Sequence, residues 1–156
     1  MSKVRRLFAL SGREWSLLLQ AVFMLPLARV SLALCGFNRT HRLSQRLAPV
    51  RPRTLDEGQV RSIAVATARM VRVAATNGFC RANCLPRSLV ASILLRRGGL
   101  DPTLRLGARR QSGALEAHAW VSLGSLSLDD DTDHDGTPFS PFAAGTLLNE
   151  HDNARC

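Results

Sequence analysis

The sequence predicts an α+β fold: helices first, then a small antiparallel sheet on which the last helix packs. Two observations carry this. Apolar residues recur at helical spacing as far as Arg97, then alternate at every second position after Asp101-Pro102. Start and stop signals bracket the helical runs. The length of 156 residues suits one domain with a modest core, preceded by a helical extension, and not two substantial domains.

Residues 1–53 read as that extension, basic and helical throughout. Leu17, Leu18, Val22, Leu25, Val30 and Leu34 recur at helical spacing. Pro26 is expected to kink or break the run, because it lacks an N–H and its ring meets the preceding turn. His41–Val50 is a short basic amphipathic piece, and Arg51-Pro52-Arg53 punctuates the chain before the second unit, residues 54–156. The stretch from Trp15 to Cys35 is apolar, but Gln20, Pro26 and Arg29 interrupt it. Its apolar run Ala21–Ala28 falls short of the roughly 18–20 residues that span a bilayer. Packing on the domain is therefore expected ahead of contact with a membrane surface.

Thr54 and Glu57 have the spacing of a capping box. The helix they start runs through Val60, Ile63, Ala64, Thr67 and Val71 and stops near Asn77-Gly78. Asn83 is placed to cap the next helix. Pro86 falls in its first turn, where a missing N–H costs nothing. Leu85, Leu89, Ile93 and Leu94 form its buried stripe. Arg96-Arg97-Gly98-Gly99 ends it with cations, then glycine.

Leu104, Leu106 and Ala108 alternate with polar residues and predict a strand. Gln111–Glu116 reads as a polar connection. Ala117–Leu123 and Leu126–Asp130 read as two further strands around Gly124-Ser125. The tail after Asp131 is acidic, with a short helix near Ala143–Leu148.

Charge is unevenly spread. The net charge is +9, yet residues 111–156 hold one arginine and eight acids, while residues 1–53 hold ten Lys/Arg and one acid. This polarity points the front of the chain toward an anionic partner surface. An arginine-rich coding bias accounts for the same charge. Nucleic acid is disfavoured: aromatics are 5%, and neither zinc-finger spacing nor an RNA-binding aromatic motif is present. Cys35, Cys80, Cys84 and Cys156 follow no secretory signal, and the Cys80/Cys84 spacing suits neither a redox motif nor a zinc knuckle. Free thiols in a reducing cytoplasm are expected.

Cys84 stands at a predicted helix start, where exposed N–H groups and the positive helix end favour a thiolate over a thiol. Arg81 and Arg87 add positive potential. A cysteine nucleophile also needs a base that returns its proton to the leaving amine, and His118 lies on a predicted strand. The base needs an orienting carboxylate or amide, and the following strand ends in Asp129-Asp130-Asp131. Each feature alone is common: a small buried hydrophobe, a packing histidine, a solvated acidic turn. Their order, Cys on a helix start, His on a strand, Asp one strand later, is that of papain-like folds.

Three segments then carry a resemblance: Cys84-Leu85-Pro86-Arg87-Ser88-Leu89, Leu94-Leu95-Arg96-Arg97-Gly98-Gly99-Leu100 and Ala117-His118-Ala119-Trp120-Val121. Together they resemble the transglutaminase-like cysteine proteases of lasso peptide biosynthesis, members of the papain-like superfamily. The match is close over residues 80–131. The resemblance implies a leader peptidase that cuts a ribosomally made precursor and delivers the core to a cyclase. It implies Cys84 as nucleophile, His118 as general base and acid, Asp130 as orienting carboxylate, and no metal or organic cofactor. Because residues 1–53 lack the pattern of a fused leader-recognition domain, the chain resembles the stand-alone form, which recruits a separate small leader-binding protein. The basic front is then expected to dock that partner or an acidic stretch of the leader peptide. Another transglutaminase-like amidase or acyltransferase, or a non-catalytic binding module on this fold, shares the same features.

Two details test the site. Asp130 shares a face with His118 only if a three-residue loop or a bulge lies around Leu123–Ser125; a tight turn passes the role to Asp129 or Asp131. For the oxyanion, the Cys84 N–H is the expected donor, with Asn83 or Asn77 as weaker candidates. Asp131–Gly136 mimics the start of a calcium loop, but its twelfth position is Phe142, where a bidentate glutamate is required.

Overall fold

The computed structural model describes residues 10–51, 53–77, 83–111, 114–128 and 140–141. Among these, three helices are followed by a four-stranded antiparallel sheet of order β3-β2-β1-β4. The elements are α1 (Gly12–Leu47), α2 (Glu57–Asn77), α3 (Cys84–Arg97), β1 (Thr103–Gln111), β2 (Ala114–Leu123), β3 (Leu126–Ser127) and β4 (Ser140–Pro141). The architecture is α+β.

The first helix starts on a capping box that the sequence reading passed over. The Ser11 hydroxyl accepts the Glu14 N–H, and the Glu14 carboxylate accepts the Ser11 N–H at 2.9 Å. These bonds hold the Glu14 carboxyl below its ordinary pKa. Pro26 lies inside the helix and does not break it. The break is at Gly36, whose φ of 71° and ψ of 174° lie in a region open essentially to glycine alone. It divides α1 into a long arm and a short arm. Carbonyls freed near the break are taken by Thr40, whose hydroxyl lies 2.8 Å from the Gly36 oxygen and 3.0 Å from that of Ser31.

The second helix is capped two residues later than predicted. Asp56 and Gln59, not Thr54 and Glu57, exchange backbone-to-side-chain bonds at 2.8 and 3.2 Å. Glutamine can play the glutamate role, and aspartate is the stronger N-cap. The helix is described as far as Asn77, and the Gly78 of the expected stop lies outside the described residues.

The third helix is more buried than a single stripe. Leu89, Val90, Ala91, Leu94 and Leu95 are all buried, because α1 and α2 cover one side and β2 the other. Leu85 and Ile93 are only half-buried. Gly98 caps the helix, and Gly99 follows at φ 89°. A Cβ on Gly99 would stand 3.1 Å from the Arg51 carbonyl and 3.0 Å from the Arg53 side chain, so the chain packs there without one.

One core joins the three helices to the sheet. Leu18, Ala21, Leu25 and Ala28 of α1 cluster with Ile63, Met70 and Val71 of α2, with Leu89 and Leu95 of α3, and with Val121 of β2. By length and composition α1 could cross a membrane, yet these four side chains are buried in the protein. The helix also holds α3 by polar contacts: Arg97 donates to the Gln20 side chain at 3.2 Å, and Arg96 donates to the Ala48 carbonyl at 3.0 Å.

The strands run further than the polar connection suggested. β1 continues to Gln111 and β2 begins at Ala114, with Gln111 opposite Ala114. The β2–β3 turn is tight: Leu123 pairs with Leu126 around Gly124-Ser125, so the predicted bulge or three-residue loop is absent. Gly124 supplies a left-handed residue there, which lets two residues close the hairpin. The Leu128 N–H still reaches the Val121 carbonyl at 2.8 Å. The predicted helix near Ala143–Leu148 and the calcium-like stretch Asp131–Gly136 lie outside the described residues.

Candidate active site

Cys84 is the first residue of α3 and is half-buried with a free thiol. Asn83 occupies the N-cap in an extended conformation, but its side chain makes no capping bond, contrary to expectation. The first backbone bond of the helix is Arg87 N–H to the Asn83 carbonyl, at 3.3 Å. Pro86 carries no N–H. Cys84 and Leu85 therefore present N–H groups for which the helix itself provides no acceptor. That is the local arrangement an oxyanion or thiolate uses.

His118 lies near the middle of β2, and only 8% of its surface is exposed. Its partner across β1 is Gly107, so no side chain opposes it on that strand. Trp120, two residues on and hence on the same face, stacks parallel to the imidazole with centroids 6.1 Å apart. Ser122, the next residue on that face, accepts a bond from the Arg105 guanidinium at 3.2 Å. Alternate residues Ala119 and Val121 are buried in the core layer.

Ser88 ties these two elements together. It lies one helical turn beyond Cys84, on the same side of α3. Its hydroxyl donates to the carbonyl of Ala119 at 2.7 Å, and both residues are buried. The Val121 carbonyl on this edge of β2 is taken by Leu128. Carbonyls alternate along a strand, so that of Ala119 points to the same edge, where the helix meets it. The start of α3 is thus fastened to the residue that follows His118. A small crevice of about 30 Å³, lined among others by Arg72, Arg87, Ser88, Trp120 and Leu128, opens between α2, α3 and the sheet.

Asp130, with its neighbours Asp129 and Asp131, lies outside the described residues, as does Asn77's neighbour Gly78. Asn77 itself turns back on its own helix, donating to the Val73 carbonyl at 3.1 Å. Among the described residues no group of three or more His, Cys, Asp or Glu side chains could hold a metal ion. Cys35 is exposed and free, on the residue before the α1 break. The sequence reading missed two residues, Ser88 and Gly107. A serine one turn past the cysteine, inside an otherwise apolar helix, was the available signal for the first. The second needs the strand register.

A family model described as the transglutaminase-like superfamily matches residues 21–143. No curated protein matches the chain, and no solved structure does. The match spans most of α1, both other helices and the sheet, with Cys84 and His118 inside it. The chain belongs to the transglutaminase-like superfamily.

Proposed function

We propose that the protein is a cysteine peptidase that removes the leader from a ribosomally made lasso precursor peptide. The observation that carries the reading is the Ser88 bond to Ala119, which fastens the helix started by Cys84 to the strand bearing His118. Cys84 Sγ attacks the scissile carbonyl, forming a C–S bond and an oxyanion. The Cys84 N–H donates to that oxyanion. His118 takes the thiol proton and gives it to the leaving amine as the C–N bond breaks. Water, deprotonated by His118, then hydrolyses the thioester and frees Cys84.

Orientation of the imidazole falls to an acid of the Asp129–Asp131 run. The tight Leu123–Leu126 pairing argues for Asp129 or Asp131 over Asp130, since across this two-residue turn even-numbered residues of β2 such as His118 share a face with odd-numbered residues of the returning strand. The resemblance supplies the partners: a leader peptide, a separate small leader-binding protein and a cyclase, all in the cytoplasm. Residues 1–53 act as the docking part and residues 54–156 as the catalytic part, although the two share one core.

Family membership alone is equally compatible with acyl transfer, in which an amine replaces water in the second step. Incubating the precursor encoded beside this gene with the protein and a neighbouring leader-binding protein separates the two by mass. Hydrolysis gives leader and core as free peptides. Transfer gives a leader joined to the added amine. An intact precursor, with the leader shown to bind, removes both readings.

A further inference from the structure

The two arms of α1 and the outer side of α3 enclose an apolar groove of about 540 Å³. That lies within the roughly 300–1,000 Å³ of ordinary binding pockets. Its lips are large and uncovered: Phe23 is 75% exposed, Leu27 65% and Leu47 70%. Leu19, Phe23 and Leu27 follow one another at four-residue spacing on the long arm, and Leu43 and Leu47 do so on the short arm. Ile93 and Leu89 of α3 form part of the floor. Scattered exposed leucines are ordinary; a continuous patch around a concavity marks an interaction site.

The rim has one sign of charge. α1 holds five arginines and a single acid, Glu14. Glu14 sits in the first turn and is engaged by Ser11 and Arg69. Arg39, Arg42 and Arg46 are exposed on or beside the short arm, and Arg97 lines the groove.

We infer that the groove receives an amphipathic helix of a separate, acidic protein partner. Its apolar ridge, repeating every three to four residues, would lie between the arms, and its flanking Asp and Glu would face the arginines. A second copy of this chain brings like charge to the rim. A planar bilayer would meet the lips and leave the recessed floor uncovered. The inference stands on the groove and its rim and is independent of the peptidase reading.

The test is fluorescence anisotropy with a labelled synthetic helix of about 18 residues, leucine on one face and glutamate on its flanks. A second probe has lysine for every glutamate. The full chain and its Cys84→Ala variant should bind the acidic probe one to one and equally. The lysine probe should bind at least roughly tenfold more weakly. Replacing Phe23 and Leu47 together by serine should cost at least roughly tenfold while circular dichroism stays unchanged, since both side chains are exposed. Arg42→Glu with Arg46→Glu should reverse the preference between probes. Equal binding of the two probes, or none, overturns the inference. So does uptake on phosphatidylserine vesicles that Phe23→Ser abolishes, with the acidic helix ignored. Dimerisation in sedimentation that Phe23→Ser abolishes overturns it too, by assigning the groove to a second copy.

Discussion

The hydroxyl of Ser88 meets the main-chain carbonyl of Ala119 at 2.7 Å, joining the helix that begins with Cys84 to the strand that holds His118. Both groups are buried, so losing the donor leaves a carbonyl short of a partner. Ser88→Ala should cost about 1–3 kcal/mol, read as a shift of the urea midpoint. Precursor cleavage measured where the variant is still folded should fall as well, because the bond that fastens the start of α3 to the strand bearing His118 is lost. A folded variant with wild-type turnover would show that the bond stabilises without positioning.

Gly36 and Pro26 should respond with opposite sign. Alanine at 36 must adopt the φ of 71° that glycine holds there, at a cost of about 1–3 kcal/mol. Alanine at 26 restores a helix hydrogen bond and should stabilise, by up to about 3 kcal/mol. Equilibrium unfolding of the two variants decides; destabilisation by Pro26→Ala would mean that the proline ring packs better than a continuous helix.

Leu25 is almost wholly buried between α1 and the rest of the core. Leu25→Ala should cost about 2–5 kcal/mol, and a chain starting at residue 54 should lose cooperative unfolding. A stable, cooperatively unfolding fragment would show instead that the front of the chain is a detachable unit.

His41 sets a pH dependence. Burial first, and then the nearby Arg96 charge, lower its pKa below the ordinary 6.5. Among the described residues its Nδ1 is buried without a partner, while Nε2 lies 2.9 Å from the Gln45 amide and the ring stacks on Phe37. The fold therefore favours the neutral imidazole. Below the ordinary value the unfolded chain takes up a proton before the folded one does. The stability contributed by the neutral ring is thus complete above 6.5 and declines as pH falls through the lowered value. Urea unfolding between pH 8 and about pH 5 should show this decline, and His41→Gln should flatten it.

Much of this was legible along the chain because it is written locally. The Arg97-Gly98-Gly99 cap and the alternation at Leu104, Leu106 and Ala108 each need only a few neighbours. The errors came where two local signals compete. Asp56 outranks Thr54 as a cap, and Gly36 outranks Pro26 as a break, since a proline's cost is absorbed in a helix whose face is buried at Leu25 and Ala28. Gly124-Ser125 favours a tight two-residue turn, whereas the expected pairing of His118 with Asp130 required a longer loop. Cys84 and His118 could be picked out by residue type and order. Ser88 and Gly107 could not, because their roles depend on which residues the sheet register and the helix approach bring opposite.

The most direct measurement is mass spectrometry of the proposed precursor peptide incubated with the protein and the proposed leader-binding partner, run beside Cys84→Ala and His118→Ala. The expected result is a single cut between leader and core that both substitutions abolish while both variants remain folded. A cut that survives Cys84→Ala would contradict it, because the cleaving group would then lie elsewhere.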